Sequence, residues 1–177
     1  MKGLMKKIRF NSGFTLAEVL VTTILFTILF GACVSILLSG FDSWQVGRVE
    51  TELQQDLRRS LDKLRNDLQQ SGASQVTGVP ADGSTNTSIS FKVSTGVTSG
   101  AIVWSTNAIQ YALSAKLLQR TQGATVTTIA RNIQTFSVSR QSTSPDIVTI
   151  TLVAQKTTEK GRSRSKTLTF EVQMRNN

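Results

Sequence analysis

Hydrophobic residues fall into three successive patterns along the chain: one continuous run, one periodic stripe and a series of short alternating segments. The continuous run extends from Phe14 to Leu38 and holds a single ionisable residue, Glu18. A helix of roughly 25 residues is long enough to cross the hydrocarbon core of a bilayer, which is about 30 Å thick. We therefore predict that this segment enters or spans a membrane.

A second helical pattern follows the polar break at Ser39 and Gly40. Apolar residues recur every three or four positions, and charged or amide side chains fill the positions between them. The apolar members are Val49, Leu53, Leu57, Leu61, Leu64 and Leu68. The stripe ends too early for a free coiled coil. We therefore expect the helix to lie on a sheet with its charged face in solvent, and to stop at Ser71 and Gly72.

From Ala73 onward, apolar and polar residues alternate over short segments, which is typical of half-buried strands. Strands are predicted at 89–93, 109–113, 147–153 and 168–174, with shorter candidates at 117–118, 126–129 and 136–138. Turn-rich stretches separate them at 78–86, 94–100, 141–146 and 157–165. Trp104 follows two strand-like residues and is expected in the core. A long helix followed by antiparallel strands predicts an α+β fold.

The first 13 residues form a basic leader with four cations and no acid, namely Lys2, Lys6, Lys7 and Arg9. A secretory signal carries its small-residue cleavage site after the apolar run, whereas here the suitable small residue, Gly13, precedes it. A cut after Gly13 would keep the apolar segment and create an amine on Phe14. A carboxylate inside an inserted helix costs on the order of 2.5 to 3.5 kcal/mol, so that amine would be a suitable partner for Glu18.

The segment Gly13-Phe14-Thr15-Leu16-Ala17-Glu18, placed between a basic leader and an apolar run, resembles the class III signal of type IV prepilins and type II secretion pseudopilins. The resemblance implies cleavage between Gly13 and Phe14 by a prepilin peptidase and N-methylation of Phe14. It also implies a filament in which Glu18 pairs with the Phe14 amine of a neighbouring subunit. A plain single-pass anchor whose glutamate faces protein is the alternative.

The order of elements is also similar to the pilin ladle fold, with a long N-terminal helix on an antiparallel sheet. The resemblance divides the chain into 1–13, a cleaved leader; 14–40, a transmembrane and assembly helix; 41–71, an amphipathic helix; and 72–177, a β-rich globular domain. It implies a single-pass protein of the inner (cytoplasmic) membrane whose C-terminal domain lies in the periplasm or outside the cell. Its partners would be prepilin peptidase, other pilin or pseudopilin subunits, an inner-membrane assembly platform and membrane lipid.

Many major pilins carry a proline near the middle of the apolar helix and a disulfide in the C-terminal loop, so within the resemblance two departures favour a minor subunit. No proline interrupts the run from Phe14 to Leu38, and the only cysteine, Cys33, lies inside that run, so no disulfide can close a C-terminal loop. Several fragments resemble W-type minor pilins and J-type pseudopilins: 67–68 before 71–72, 109–111 with 118–120, 129–133 with 136, and 172–176. The resemblance implies a structural subunit that primes or tips a type IV pilus or a type II secretion pseudopilus.

Catalysis and metal binding have little support in the composition. The chain has no histidine and no cysteine outside the apolar run, and its acids beyond the helices are scattered. We therefore expect no enzymatic activity, no cofactor and no metal site. The formal net charge of +9 falls to +5 without the four leader cations, which weakens basicity as an indication of a nucleic-acid partner.

The main alternative function is that of a DNA-binding minor pilin in a competence or DNA-uptake system. It depends on a basic cluster in a predicted hairpin loop, formed by Lys156, Lys160, Arg162, Arg164 and Lys166, with Glu159 as the only acid. No aromatic residue lies among these cations, so base stacking is not indicated. A solvated loop or a subunit contact is the preferred interpretation of Lys160, Arg162 and Arg164.

Overall fold

The computed structural model describes residues 13–176, which form one long helix followed by a short 3-10 turn and ten strands. The chain divides into two compact units, one up to Trp44 and the other from Gln45 onward. Helix α1 (Leu16–Gln69) runs without interruption through the boundary between them. The polar break at Ser39 and Gly40 therefore does not end a helix, because the cost of one glycine, about 1 kcal/mol, is small for a helix of this length.

The part of α1 that belongs to the second unit buries its leucine stripe. Leu53, Leu57, Leu64 and Leu68 are fully buried in the core of that unit. The helix ends at Gln69, close to the predicted stop. The expectation that the charged face is solvated is wrong at Asp67, which is only 6% exposed.

All strand pairings in the described residues are antiparallel, so the predicted α+β class with one long N-terminal helix and antiparallel sheets is confirmed. The strands are β1 (Val76–Thr77), β2 (Ser88–Phe91), β3 (Ser94–Thr98), β4 (Ala101–Trp104), β5 (Ile109–Ser114), β6 (Leu117–Gln122), β7 (Thr125–Ala130), β8 (Ile133–Gln141), β9 (Ser144–Thr157) and β10 (Ser163–Gln173). They form a five-stranded sheet in the order β1-β2-β5-β6-β7, a three-stranded sheet β10-β9-β8, and the separate hairpin β3-β4.

Each predicted strand overlaps an observed one, but the predicted turn at 94–100 is wrong. That stretch contains β3, which pairs with β4. The reversal is confined to Ser99 and Gly100, whose φ angles are 51° and 81°, as a two-residue hairpin turn requires. Trp104 lies in β4 and is half-buried. The expectation that it lies in the core is wrong, because it is not among the buried core residues or those packed against them, and its ring lies beside Gly72.

The core lies between the leucine stripe and the inward faces of the two larger sheets. In β9 the buried residues alternate with half-buried ones, as Val148, Ile150, Leu152 and Ala154. Arg140 of β8 is also buried, and its Nη2 donates hydrogen bonds to the carbonyl oxygens of Ala73 (3.2 Å) and Pro145 (2.7 Å). This guanidinium therefore links the start of β9 to the chain that follows α1.

Candidate functional site

The first turn of α1 is closed by a reciprocal pair of hydrogen bonds between Thr15 and Glu18. The Glu18 backbone N–H donates to Thr15 Oγ1 (3.3 Å), and the Thr15 backbone N–H donates to Glu18 Oε2 (3.0 Å). This is the capping-box arrangement, which satisfies two of the backbone donors left open at a helix start. Glu18 is therefore fixed by the Thr15 side chain and backbone at the N-terminal end of the helix.

Gly13 and Phe14 precede the helix in non-helical backbone. Phe14 is 84% exposed, and a Cβ added to Gly13 would meet no atom within 4 Å. Three of the predicted site residues, Gly13, Phe14 and Glu18, are thus brought together at one end of α1. The predicted leader cations Lys2, Lys6, Lys7 and Arg9 lie outside the described residues.

The apolar stretch of α1 has its side chains exposed in the isolated chain, including Phe26, Leu29, Phe30 and Leu37, each more than half exposed. By length and composition, α1 is the one helix in residues 13–176 that could span a membrane. Exposure of large apolar side chains over such a length is unfavourable in water and favourable in lipid. A single membrane-spanning helix is thus consistent with the structure.

Hydroxyl side chains in this stretch are bonded within the helix. Thr23 Oγ1 donates to the Val19 carbonyl (2.7 Å), Thr27 Oγ1 to the Thr23 carbonyl (2.8 Å) and Ser35 Oγ to the Gly31 carbonyl (3.0 Å). A hydroxyl that has an internal partner avoids most of the cost of leaving water. These residues are therefore compatible with a lipid environment.

The predicted basic loop lies at the end of the β9-β10 hairpin, and two of its cations contact glutamates of α1. Lys156 Nζ forms an ion pair with Glu52, and Arg164 Nε lies 3.9 Å from Glu50 Oε1. The bonds from Lys156 and then Arg48 lower the pKa of Glu52 below its ordinary value of 4.5. The hairpin is therefore fastened to the helix, and part of the positive charge assigned to a nucleic-acid site is neutralised within the chain.

A charged cluster that the sequence reasoning missed surrounds Asp67. Asp67 Oδ2 accepts hydrogen bonds from Tyr111 Oη (2.8 Å) and from Arg120 Nε (2.6 Å), and Oδ1 lies 3.3 Å from Lys63 Nζ. Burial and then the neighbouring carboxylate raise the pKa of the Tyr111 phenol well above its ordinary value. Asp67, Tyr111 and Arg120 occur in the fragments 67–68, 109–111 and 118–120, but nothing in the local pattern indicates that these fragments meet.

Within residues 13–176, no group of three or more histidine, cysteine, aspartate or glutamate side chains is placed to hold a metal ion. Asp82, which lies within the turn-rich stretch 78–86, accepts a hydrogen bond from the Ser84 backbone N–H (2.8 Å). No protein-family model matches the sequence, and neither the curated proteins nor the solved structures provide a match.

Proposed function

We propose that this protein is a pilin-like structural subunit whose leader is removed between Gly13 and Phe14 and whose apolar helix assembles with neighbouring subunits. The observation that carries the proposal is the placement of the predicted junction immediately before α1. A cut there leaves Phe14 as the first residue and leaves the helix and its capping box intact. The exposed, non-helical backbone at Gly13 suits recognition by a prepilin peptidase.

The geometry at Glu18 supports a role in assembly. The backbone N–H and the hydroxyl of Thr15 both donate to Oε2 of the Glu18 carboxylate. The other oxygen, Oε1, takes no part in the capping box. A cation from a neighbouring subunit, such as the Phe14 amine after cleavage, would neutralise the Glu18 carboxylate in an apolar environment. This pairing would compensate the cost of placing a carboxylate in the membrane segment.

The remaining assignments follow from the same proposal. We assign the fold to the pilin ladle type, which has a long N-terminal helix followed by an antiparallel β-rich unit. The protein is a single-pass component of the inner membrane with its globular unit in the periplasm or outside the cell. It acts as a minor subunit that primes or tips a type IV pilus or a type II secretion pseudopilus.

The proposal is tested by determining the N-terminus of the protein recovered from filaments or from the membrane of cells that have a prepilin peptidase. We expect the mature chain to begin at Phe14, with a methyl group on its amine. Gly13→Val should block processing, whereas Gly3→Val, the same change elsewhere in the leader, should not. A filament-associated chain that keeps residues 1–13 would contradict the proposal.

A further inference from the structure

An open groove lies between the C-terminal end of α1 and the residues that follow β10, all within the globular unit. The chain after β10 is held against the helix end, because Asn176 Nδ2 donates a hydrogen bond to the Gln70 carbonyl (2.8 Å) and the Asn176 backbone N–H donates to the Ser71 carbonyl (3.3 Å). The groove has a volume of about 550 Å³, which is within the range of ligand sites. Its lining residues are all polar or charged: Lys63, Asn66, Asp67, Gln69, Gln70, Arg175 and Asn176. The groove therefore suits a polar ligand and not an apolar one.

Cations outnumber acids at this groove. Asp67 is the one acid of the lining, and its carboxylate already contacts Arg120 Nε (2.6 Å) and Lys63 Nζ (3.3 Å). Arg175 is exposed and forms no ion pair with any acid of residues 13–176. The charge of Asp67 is therefore compensated within the chain, and the groove keeps an excess of positive charge that an anionic ligand would neutralise.

The side-chain amides of the groove have hydrogen-bonding groups that the chain leaves open. Within the described part of the chain, the amides of Asn66, Gln69 and Gln70 form no hydrogen bond. Each of them offers N–H donors and a carbonyl acceptor, which are the groups needed to bond a peptide backbone. Amides beside unbalanced cations therefore match a peptide that carries carboxylates, because the cations would pair with its acids and the amides would bond to its backbone.

We propose that this groove binds an acidic segment of a partner protein, whose carboxylates pair with Lys63 and Arg175. Arg175 can hold one carboxylate through two parallel N–H bonds, and the Lys63 ammonium has three N–H donors, so it can contact a second carboxylate beside Asp67. Nucleic acid is also anionic, but none of the lining residues is aromatic, and two cations make few phosphate contacts. The site lies inside the globular unit, so the inference goes beyond the proposed function and needs neither leader cleavage nor filaments.

Binding can be measured with a tetraglutamate peptide that carries an uncharged fluorescent dye. The peptide is titrated with the full chain in a neutral detergent, and its fluorescence anisotropy is followed. The matched probe is tetraglutamine, which has nearly the same shape but no side-chain charge. We expect tetraglutamate to bind more tightly, with an affinity that falls as salt is added. Equal binding of the two peptides would overturn the inference.

The double variant Lys63→Gln/Arg175→Gln tests the residues. An exposed ion pair is worth up to about a fivefold change in binding, so the loss of both should weaken tetraglutamate binding by up to about 25-fold. The matched control is Arg162→Gln/Lys166→Gln, which removes the same charge at exposed positions near the start of β10, about 20 Å or more along the strand from Arg175. Salt screens charges at such distances, so the control should change the affinity by less than about twofold. Arg175→Lys keeps the charge and should retain more of the affinity than Arg175→Gln.

An equal loss of affinity in the Arg162/Lys166 control would overturn the inference, because the peptide would then bind to the overall positive charge and not to the groove. So would a groove variant that loses duplex DNA binding in a salt series while its tetraglutamate binding is unchanged, because the groove would then be a nucleic-acid site. The midpoint of urea unfolding of each variant should match the parent, and the comparison of the two peptides on the parent decides without any variant. A chain that starts at Phe14 but binds both peptides equally would sink this inference alone, whereas selective tetraglutamate binding by a chain that is never cleaved would sink the filament proposal alone.

Discussion

Replacing Asp67 by alanine should destabilise the globular unit by about 3–5 kcal/mol, because it breaks a buried ion pair and leaves one partner uncompensated. The side chains of Asp67 and Arg120 are 9% and 15% exposed, and Arg120 Nε lies 2.6 Å from the carboxylate. Without Asp67, the guanidinium loses its carboxylate partner and keeps the bond from Nη2 to Gln122 Oε1 (2.9 Å). The Tyr111 hydroxyl loses its acceptor at the same time.

Substitutions of Tyr111 and Lys63 should destabilise the globular unit by less, in an order set by how buried each side chain is. Tyr111→Phe removes one hydrogen bond to a charged group and should cost about 1.5–3 kcal/mol. Lys63→Ala is the matched control, because Lys63 contacts the same carboxylate but its side chain is 49% exposed. Exposed ion pairs contribute about 0–1 kcal/mol, so this variant should be close to the parent.

Urea unfolding of the full chain in detergent can be followed by the fluorescence of Trp104 in a Trp44→Phe background, since the chain has two tryptophans. The slope of the transition should be unchanged, so that a shift in midpoint reports stability. The reasoning is refuted if Asp67→Ala lies within about 1 kcal/mol of the parent, or if Lys63→Ala costs as much as Asp67→Ala. Replacing Asp67 and Arg120 together by leucine and methionine should recover much of the loss.

Three further predictions concern other parts of the chain. Glu18→Val should leave membrane insertion intact or improved but impair assembly, with Glu18→Asp milder; normal filament yield from the valine variant would contradict this. Tyr111 is the only tyrosine, and its pKa is raised in the folded protein. Because the unfolded chain loses this proton first, the free energy of unfolding should fall as the pH rises above the ordinary pKa of 10.0. Tyrosinate absorbance follows the ionisation, and Tyr111→Phe should flatten the dependence of stability on pH. Gly72→Ala should destabilise by about 1–3 kcal/mol in a urea titration, because its Cβ would lie 1.8 Å from the Asn176 carbonyl oxygen. Gly47→Ala is the control, because Gly47 is helical and an added Cβ there would meet no atom within 4 Å, so this variant should not destabilise.

The parts of the fold that could be predicted are those that depend on residues close in sequence. The leucine stripe has a helical period, and the segments around Ile109 and Ile147 alternate, so helix and strands were assigned from local pattern alone. The end of α1 was placed near Gly72 for the same reason. The hairpin β3-β4 was missed because serine, threonine and glycine are typical of turns, while its pairing depends on a reversal at only two of them.

The charged contacts between α1 and the strands could not be predicted, because they join residues far apart in the chain. Asp67 is 44 residues from Tyr111 and 53 from Arg120, and Glu52 is 104 residues from Lys156. From the sequence alone, a charged residue between the apolar positions of a helix is expected to be solvated, because the strand that covers it is not known. Arg140 was missed in the same way, since its partners are backbone carbonyls, which carry no sequence pattern.

The acidic residues of α1 differ in whether a cation of the same chain is placed beside them. Asp67 and Glu52 form ion pairs with cations of the globular unit, Arg120 and Lys156. Glu18 has only the hydroxyl and backbone N–H of Thr15, and among the interactions described it has no cation. In lipid such a carboxylate is costly. For this reason our proposal assigns assembly to the first turn of α1, where a cation of a second chain would compensate the cost of the Glu18 carboxylate.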